Sequence, residues 1–145
     1  MGKKRVIKKG EEVAAKEGGA TQAPVSHAGR RVSRGIAFIR ATYNNTLVSV
    51  ADDKGNVLAW SSAGSVGFSG AKKATPYAAA RVSEIVAEKA RRAGVSEVAV
   101  RVSDVGYGRD SAVRALANHG LNIISIKDVT PLPHNGPRPA KVRRV

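Results

Sequence analysis

The pattern of apolar and polar positions predicts three short strands in the first half of the chain. β-Branched and aromatic residues enrich positions 36–43, 47–50 and 57–60, and turn-forming residues separate these runs. Asn44-Asn45 lies between the first two runs. Because Asn tolerates a positive φ, this pair predicts a type I′ hairpin turn. The three strands are expected to form a meander.

The second half of the chain alternates between helical and strand periods. Thr75 and Pro76 predict a helix start, with Thr as the N-cap and Pro at the first helical position. Alternation at 97–102 predicts a fourth strand, and residues 121–129 predict a fifth, with a second helix between them that ends at Gly120. The predicted apolar faces are Ala78, Val82, Ile85, Val86, Ala90 and Ala93 in the first helix, and Ala112, Val113, Leu116 and Ala117 in the second.

This order of elements predicts a single α/β domain at residues 35–130. The two strand–helix–strand crossovers must be right-handed and give a parallel section, whereas the hairpins give an antiparallel section. We therefore expect a five-stranded mixed sheet with two crossover helices, a ribonuclease-H-like arrangement. Residues 1–34 lack a sustained period and are expected to form a flexible basic N-terminal arm. Residues 131–145 hold four prolines and are expected to form an extended basic C-terminal tail.

Most of the net charge of +14 lies outside the predicted domain. Residues 1–34 carry nine Lys/Arg and three Glu, a net charge of +6, and residues 131–145 carry four cations and no acid. Two basic arms on a moderately charged globule attract a phosphate backbone or anionic lipid. Lipid binding favours an amphipathic basic helix, which arms broken by Gly and Pro do not supply. Nucleic acid is therefore the favoured partner.

Other classes of function find little support in the residues. Without cysteine there is no disulfide and no thiolate metal site. No apolar run approaches the roughly 20 residues that cross a bilayer, and the start lacks a signal-peptide core, so we expect a cytoplasmic protein. A two-metal nuclease needs clustered carboxylates, but the first strand has no acid, Glu84 lies off its helix's apolar face, and Asp52 and Asp53 stand at a turn. We expect no catalytic residue, metal or cofactor.

Two glycine-rich loops are candidates for binding an anion. Gly106 and Gly108 precede Arg109 at the start of the second helix, where backbone N–H groups attract anions and glycine lets a phosphate come close. This pattern fits an RNA backbone contact, a mononucleotide site, or an ordinary turn that uses glycine for a positive φ. It matches neither the Walker loop nor the dinucleotide fingerprint.

The other loop, residues 64–73, holds Phe68, Lys72 and Lys73 just before the first helix. An aromatic ring among glycines either stacks on a base or folds back onto the core. Cations at a helix N-terminus oppose the helix dipole, which indicates an external anion nearby. A solvated loop is the alternative.

Asn135-Gly136 in the tail has a separate chemical interest. Glycine offers little hindrance to attack of its amide nitrogen on the Asn side chain, so Asn135 is a candidate for deamidation to isoaspartate. A plain turn is the alternative, because Asn-Gly is a common turn pair.

Three groups of motifs resemble one known family when they are taken together. They are Tyr43-Asn44-Asn45-Thr46 with Trp60-Ser61-Ser62-Ala63-Gly64, then Gly67-Phe68 through Thr75-Pro76, then Gly108-Arg109-Asp110-Ser111 with the run Asp128-Val129-Thr130-Pro131-Leu132-Pro133-His134-Asn135-Gly136. Their order and spacing resemble the bacterial small-subunit ribosomal protein eleven family, over residues 35–145.

The resemblance implies a structural rRNA-binding protein without catalysis, on the platform of the small ribosomal subunit and near the exit of the mRNA path. It implies small-subunit proteins seven, eighteen and twenty-one as neighbours, and no membrane or small-molecule substrate. A non-ribosomal RNA-binding module or chaperone and a metal-dependent nuclease remain as alternatives. The rRNA-binding residues expected from the loops and the resemblance are Asn44, Asn45, Phe68, Lys72, Lys73, Gly106, Gly108, Arg109, His134, Asn135, Arg138, Lys141, Arg143 and Arg144.

The chain departs from the family's usual pattern at a few positions. Ser103-Asp104-Val105 stands where the family usually has a Lys-Gly-Pro run, so a phosphate contact there is not expected. Ser69 stands where Lys is usual, and Phe38 and Arg40 where His or Gln is common. We expect some rRNA contacts to be traded between loops and arms.

Overall fold

The computed structural model describes residues 32–142 and residue 144. In this part of the chain, five strands and two α-helices follow the predicted order, with a short 3-10 helix that the periodicity did not predict. The elements are β1 Arg34–Ala41, β2 Thr46–Ala51, β3 Val57–Ser62, a 3-10 helix Gly70–Ala74, α1 Pro76–Arg92, β4 Glu97–Ser103, α2 Arg109–Asn118 and β5 Asn122–Asp128.

The five strands form one mixed sheet in the order β3-β2-β1-β4-β5. The pairs β1–β2 and β2–β3 are antiparallel, and the pairs β1–β4 and β4–β5 are parallel. The prediction of a five-stranded mixed sheet with an antiparallel and a parallel section is therefore confirmed. It follows that β1, β3, β4 and β5 run in one direction and β2 in the opposite one.

Both helices pack on the same sheet and against each other. Thr75 caps α1, because its side-chain oxygen accepts a hydrogen bond from the Ala78 N–H at 3.3 Å, and Pro76 occupies the first helical position. The predicted start of α1 is thus confirmed. No helix in the described part of the chain is long and apolar enough to cross a bilayer.

Small residues dominate the core between the sheet and the helices. Alternate positions of β1, β2 and β4 point toward the helices and are fully or almost fully buried. Close approach of helix and sheet follows, because Ala and Val have short side chains. The core residues from the strands include Ala37, Ile39, Val48, Val50, Val98, Val100 and Val102, and those from the helices include Ala79, Val82, Val86, Ala112 and Leu116.

The apolar face of α2 differs from the predicted one. Ala112 and Leu116 are buried as expected, but Ala115 is buried and Ala117 is exposed. At about 100° per residue, Ala115 lies about 60° from Ala112 around the helix axis, whereas Ala117 lies about 140° away. The helix therefore turns its Ala115 side toward the core, and the inclusion of Ala117 was wrong.

The hairpin between β1 and β2 also differs from the prediction. Ala41 pairs with Thr46, so the loop has four residues, and neither Asn44 nor Asn45 has a positive φ. The hydroxyl of Thr42 accepts a hydrogen bond from the Asn45 N–H at 3.0 Å. The type I′ prediction was wrong because Thr42 supplies the turn's acceptor in a longer loop.

The turn between β2 and β3 is organised by a carboxylate, as expected for Asp52. One oxygen of Asp52 accepts hydrogen bonds from the N–H groups of Lys54 and Asn56, each at 2.9 Å, and the other accepts one from the Asn56 side chain at 2.9 Å. These hydrogen bonds, that of the Asn56 side chain first, hold the pKa of Asp52 below its usual value. The carboxylate thus has a structural use.

Candidate nucleic-acid interface

Four segments leave the sheet at the same edge. Because four of the five strands share one direction, the segments 42–45, 63–75 and 104–108 and the chain after Asp128 all lie where those strands end. We call these four segments the loop edge. Apart from Arg109, the first residue of α2, the residues predicted to bind RNA lie in these segments or in the tail that continues from the last of them.

Backbone hydrogen bonds hold the loop edge together. The loops 63–75 and 104–108 and the chain after β5 are each joined by a backbone hydrogen bond to a strand other than the one that precedes them. Segments distant in sequence therefore occupy fixed relative positions. The joining bonds are Gly106 N to Ala41 O (2.6 Å), Ala63 N to Thr46 O (2.9 Å) and Val129 N to Val102 O (2.8 Å).

Gly106 and Gly108 are buried, and their small size serves packing within the protein. A Cβ atom on Gly106 would lie 2.6 Å from the Ala41 carbonyl oxygen and closer still to that of Thr42. One on Gly108 would lie 2.7 Å from the Thr46 hydroxyl. Neither glycine has a positive φ, so the alternative of a turn that uses glycine for that conformation was wrong. RNA contact by this turn remains a prediction. The structure explains the two glycines independently of RNA, because a side chain at either position would overlap neighbouring atoms of the protein.

Arg109 at the start of α2 is paired with a carboxylate of β5. Its half-buried guanidinium donates a hydrogen bond to Asp128, which also accepts from the Thr130 hydroxyl at 2.6 Å and the Thr130 N–H at 2.9 Å. The hydrogen bond from the Thr130 side chain, followed by that from Arg109, holds the pKa of Asp128 far below its usual range. Asp128 therefore stays ionised and fixes the direction in which the tail leaves the sheet. A phosphate bound by Arg109 would share the guanidinium with this carboxylate.

Phe68 and the two lysines of the same loop differ in their surroundings. The Phe68 ring is half-buried against the core and contacts Tyr77 edge-on, with ring centroids 5.9 Å apart. The sequence left two roles open for this ring, stacking on a base or packing on the core, and in the structure the ring packs on the core. Lys72 is exposed and Lys73 is half-buried, both within the 3-10 helix that precedes Thr75. Lys72 is thus the cation of this loop that is best placed to meet a phosphate.

The two asparagines of the β1–β2 loop are also unequal. Asn44 is exposed, whereas the side-chain oxygen of Asn45 is enclosed and accepts no hydrogen bond from the described residues. Asn44 therefore presents the more accessible polar group at the loop edge.

The tail runs from the loop edge without helix or strand over residues 129–142. His134, Asn135, Arg138 and Lys141 are exposed, as is Arg144, while Arg143 lies outside the described residues. Asn135 adopts a positive φ of 55°, and its side-chain oxygen accepts a hydrogen bond from Arg138 at 2.7 Å. The described cations of the tail are thus open to solvent. The predicted N-terminal arm lies outside the described residues except for positions 32–34.

The ion pair between Arg40 and Asp104 at this edge was not predicted from the sequence. Arg40 at the end of β1 donates to Asp104 at 2.7 Å, and Asp104 has a positive φ of 66° just after β4. Because β1 and β4 are parallel and Arg40 pairs with Ser103, their ends meet. No local sequence pattern indicates this ion pair. It follows from the parallel pairing of β1 and β4, which places Arg40 beside the residues that follow β4.

Glu84, which was considered above for a nuclease, and Asp104, which follows β4, are each paired with an arginine. Asp104 pairs with Arg40, and Glu84 on α1 pairs with Arg81 at 2.5 Å. Among residues 32–142 and 144, no three His, Asp or Glu side chains lie close enough to hold a metal ion.

Comparisons with known proteins agree on one family. The family model described as ribosomal protein S11 matches residues 35–144. A relative from a Nitratiruptor species, named small ribosomal subunit protein uS11, is 51% identical over 117 residues, which are 80% of this chain and 90% of the relative. A relative of the same name from Solibacter usitatus is 53% identical over 116 residues, or 80% of this chain and 86% of the relative.

Proposed function

The chain belongs to the ribosomal protein S11 family, and from that premise we propose that it binds small-subunit rRNA through the loop edge and the tail. It serves as a structural constituent of the small ribosomal subunit in the cytoplasm, supporting assembly and translation. Its place is on the platform, near the exit of the mRNA path. The observation that carries the proposal is the convergence of four segments at one edge of the sheet.

The loop edge suits RNA because it combines a fixed shape with exposed cations and amides. The hydrogen bonds that join its segments fix the relative positions of Asn44, Lys72 and the start of the tail. A rigid set of polar groups reads the shape of a folded RNA, which is how proteins recognise much of structured RNA. The tail extends from the same edge and adds cations that lie along the phosphate backbone.

The arms supply most of the electrostatic free energy in this mechanism. The tail's four cations, if each neutralises one phosphate, steepen the dependence of log K on log salt by about 3 to 4 units. The proline content keeps the tail extended, which lowers the entropy cost of laying it on a polyanion. The tail therefore sets affinity, and the folded domain sets the position.

Protein neighbours and mRNA complete the proposed setting. We infer small-subunit proteins seven, eighteen and twenty-one as neighbours, with mRNA passing nearby. The protein acts without a small-molecule substrate or cofactor in this role.

The first test is sedimentation of a tagged copy in a bacterial lysate, followed by a high-salt wash. We expect the copy in the small-subunit peak and resistant to the wash, because shape as well as charge holds it. A copy spread through the gradient and released at moderate salt would indicate a loosely bound nucleic-acid module instead.

A charge-matched pair of variants tests the tail. Replacing Arg138, Lys141, Arg143 and Arg144 by Gln should flatten the salt dependence of rRNA binding by about 3 to 4 units while leaving the melting temperature unchanged. The control replaces four exposed cations of the helical layer, Arg81, Lys89, Arg92 and Arg114, by Gln. Equal affinity and slope for the tail variant and the unaltered protein would refute a role for the tail.

A further inference from the structure

The two faces of the sheet differ in what covers them. The helices lie on one face, and alternate residues of each strand point to the other, which no described element covers. We call this second surface the open face. On β1 it includes Ile36, Phe38 and Arg40, and the strand registers extend it to β2, β3, β4 and β5.

One row of side chains crosses the whole open face. Residues paired in register project from the same side of a sheet, so a chain of pairs defines a transverse row. Two aromatic rings and two cations occupy four of its five positions, with a serine between the rings. From β3 to β5 the paired residues are Trp60, Ser49, Phe38, Arg101 and Lys127. We call them the cross-sheet row.

The aromatic members of the cross-sheet row are open to solvent. Trp60 is 57% exposed and Phe38 is 37% exposed. With two strand spacings between them, their backbones are about 10 Å apart, and the small Ser49 leaves the space between the rings open. Large exposed rings on a rigid sheet offer flat apolar faces at fixed positions.

The cations of the row lack acidic partners among the described residues. Arg101 lies over the Phe38 ring, 5.6 Å from its centroid, and Lys127 is exposed beside it. Glu97, on the same face, is paired with Arg34, and Asp104 at its rim is paired with Arg40. The face therefore has an excess of positive charge next to its aromatic rings.

We propose that the cross-sheet row binds unpaired bases of a single-stranded RNA segment, with Trp60 and Phe38 stacking on bases and Arg101 and Lys127 contacting the adjoining backbone. Rings and an arginine plane are the surfaces on which RNA-binding sheets stack bases. Lysine is depleted in protein–protein interfaces, whereas this row holds Lys127 beside Arg101, and neither cation has an acidic partner among the described residues. RNA is therefore the occupant that the charge favours.

This inference rests on the RNA-binding function proposed above and adds a second surface to it. The loop edge reads folded RNA through polar groups and phosphates, whereas the row takes bases without pairing partners. Arg40 lies on the open face and reaches the loop edge through Asp104, so the two surfaces are continuous. One RNA strand can pass from the loop edge onto the sheet.

Trp60 is the only tryptophan, so its fluorescence reports on the row alone. The full chain is titrated with oligouridylate, with inorganic polyphosphate as a polyanion without bases. We expect oligouridylate to quench the Trp60 emission and polyphosphate to bind the basic arms without quenching. Binding of both probes with no quenching by RNA would overturn the proposal.

Substitutions then measure the contribution of each part of the row. Phe38→Leu should weaken oligouridylate binding about 5- to 100-fold by removing one stacking ring. Arg101→Gln should weaken it by a smaller factor, and its charge-matched control, Arg114→Gln on the exposed side of α2, should not reduce quenching. Equal affinities for Phe38→Leu and the unaltered protein would contradict base stacking on this face.

Sedimentation separates this inference from the proposed function. If the unaltered protein enters the small subunit but oligouridylate does not quench Trp60, base binding by the cross-sheet row is refuted. The proposal of rRNA binding through the loop edge is then unaffected. If quenching occurs without entry into the subunit, the row stands as an RNA site and the ribosomal assignment fails. A concentration-dependent dimer abolished by Trp60→Leu would assign the face to a second copy and overturn the proposal.

Discussion

The two faces of the sheet show how one set of strands serves stability and binding. On β4, Val98, Val100 and Val102 point toward the helices and are at most 4% exposed. Between them on the opposite face, Ala99 is half-buried and Arg101 exposed. The period of two places a chemically uniform, apolar set on one side and a mixed set on the other. The helix-covered face therefore sets stability, which leaves the open face free to carry cations and rings.

The loop edge combines packing and exposed polar groups within the same segments, whereas the sheet separates them onto two faces. At the base of the loop edge Gly106 and Gly108 are buried against neighbouring atoms, whereas the polar side chains of Asn44 and Lys72 on its outside are exposed. A rigid base beneath exposed polar groups holds those groups in place before RNA arrives, which lowers the ordering cost on binding.

The largest loss of stability is expected from Gly106→Ala at the base of the loop edge. The new Cβ would lie within 2.6 Å of two backbone carbonyl oxygens, so the β4–α2 connection must shift. We expect a loss of about 3 kcal/mol or more in the free energy of unfolding, measured by denaturant titration. The control is Gly64→Ala in the same edge, where the nearest atom is 4.0 Å away, and it should change stability by less than about 1 kcal/mol. Equal stabilities for the two variants would mean that the base of the edge is not tightly packed.

A matched pair on β1 sharpens the contrast between the faces. Ile39 is 1% exposed beneath the helices, whereas Ile36 is half-buried on the open face. We expect Ile39→Ala to cost about 3 kcal/mol and Ile36→Ala about 1 kcal/mol, since only the first leaves an enclosed cavity. Thermal and urea denaturation would measure both. A larger loss for Ile36→Ala would show that the open face is covered in the free protein.

A smaller, pH-dependent effect is expected at Asp128. Its folded-state pKa lies below the ordinary Asp value of about 4, so its contribution to stability is present above that pH and is lost as pH falls toward the lowered pKa. Asp128→Asn should therefore lower the melting temperature at pH 7, and the difference from the unaltered protein should shrink below about pH 4. A difference that stays constant with pH would mean that the charge on Asp128 does not stabilise the start of the tail.

The smallest effect on the fold is expected from the chemistry of Asn135. The residue is exposed and followed by Gly136, so isoaspartate should accumulate there in aged free protein without a change in melting temperature. A Cβ on Gly136 would lie 2.9 Å from Pro133, so glycine also serves the turn itself. Peptide mass spectrometry combined with an isoaspartate methyltransferase assay measures the product, and Asn56, followed by the bulky Val57, is the control. If Asn135 stayed unmodified after prolonged incubation, the deamidation hypothesis would be wrong, and Asn135-Gly136 would be explained by its role in the turn.

The sequence was sufficient for the elements and their order because the two periods are strong. Alternation in β4 and the Thr75-Pro76 start of α1 are local signals, and the structure confirms both. Three errors came from contacts that local patterns do not contain. Thr42 supplies the acceptor that made a type I′ turn unnecessary, α2 buries Ala115 rather than Ala117, and tertiary packing explains Gly106.

The candidate site was predicted in its residues but not in its arrangement. Lys72 and Asn44 were identified from sequence, but their meeting at one edge follows from the strand directions. The pairing of Arg109 with Asp128 and of Arg40 with Asp104 depends on the register of parallel strands, which composition does not encode. The cross-sheet row likewise becomes visible only when the registers of all five strands are known.

Directed cleavage of rRNA from single positions tests whether the loop edge faces rRNA in the small subunit. The chain has no cysteine, so Lys72→Cys at the loop edge and Lys54→Cys at the opposite edge each give one site for a tethered iron chelate. Both positions are exposed, and each variant is incorporated into small subunits before hydroxyl radicals are generated. We expect strong, localised rRNA cleavage from position 72 and weak or no cleavage from position 54. Equal cleavage from both, or stronger cleavage from position 54, would contradict RNA binding through the loop edge.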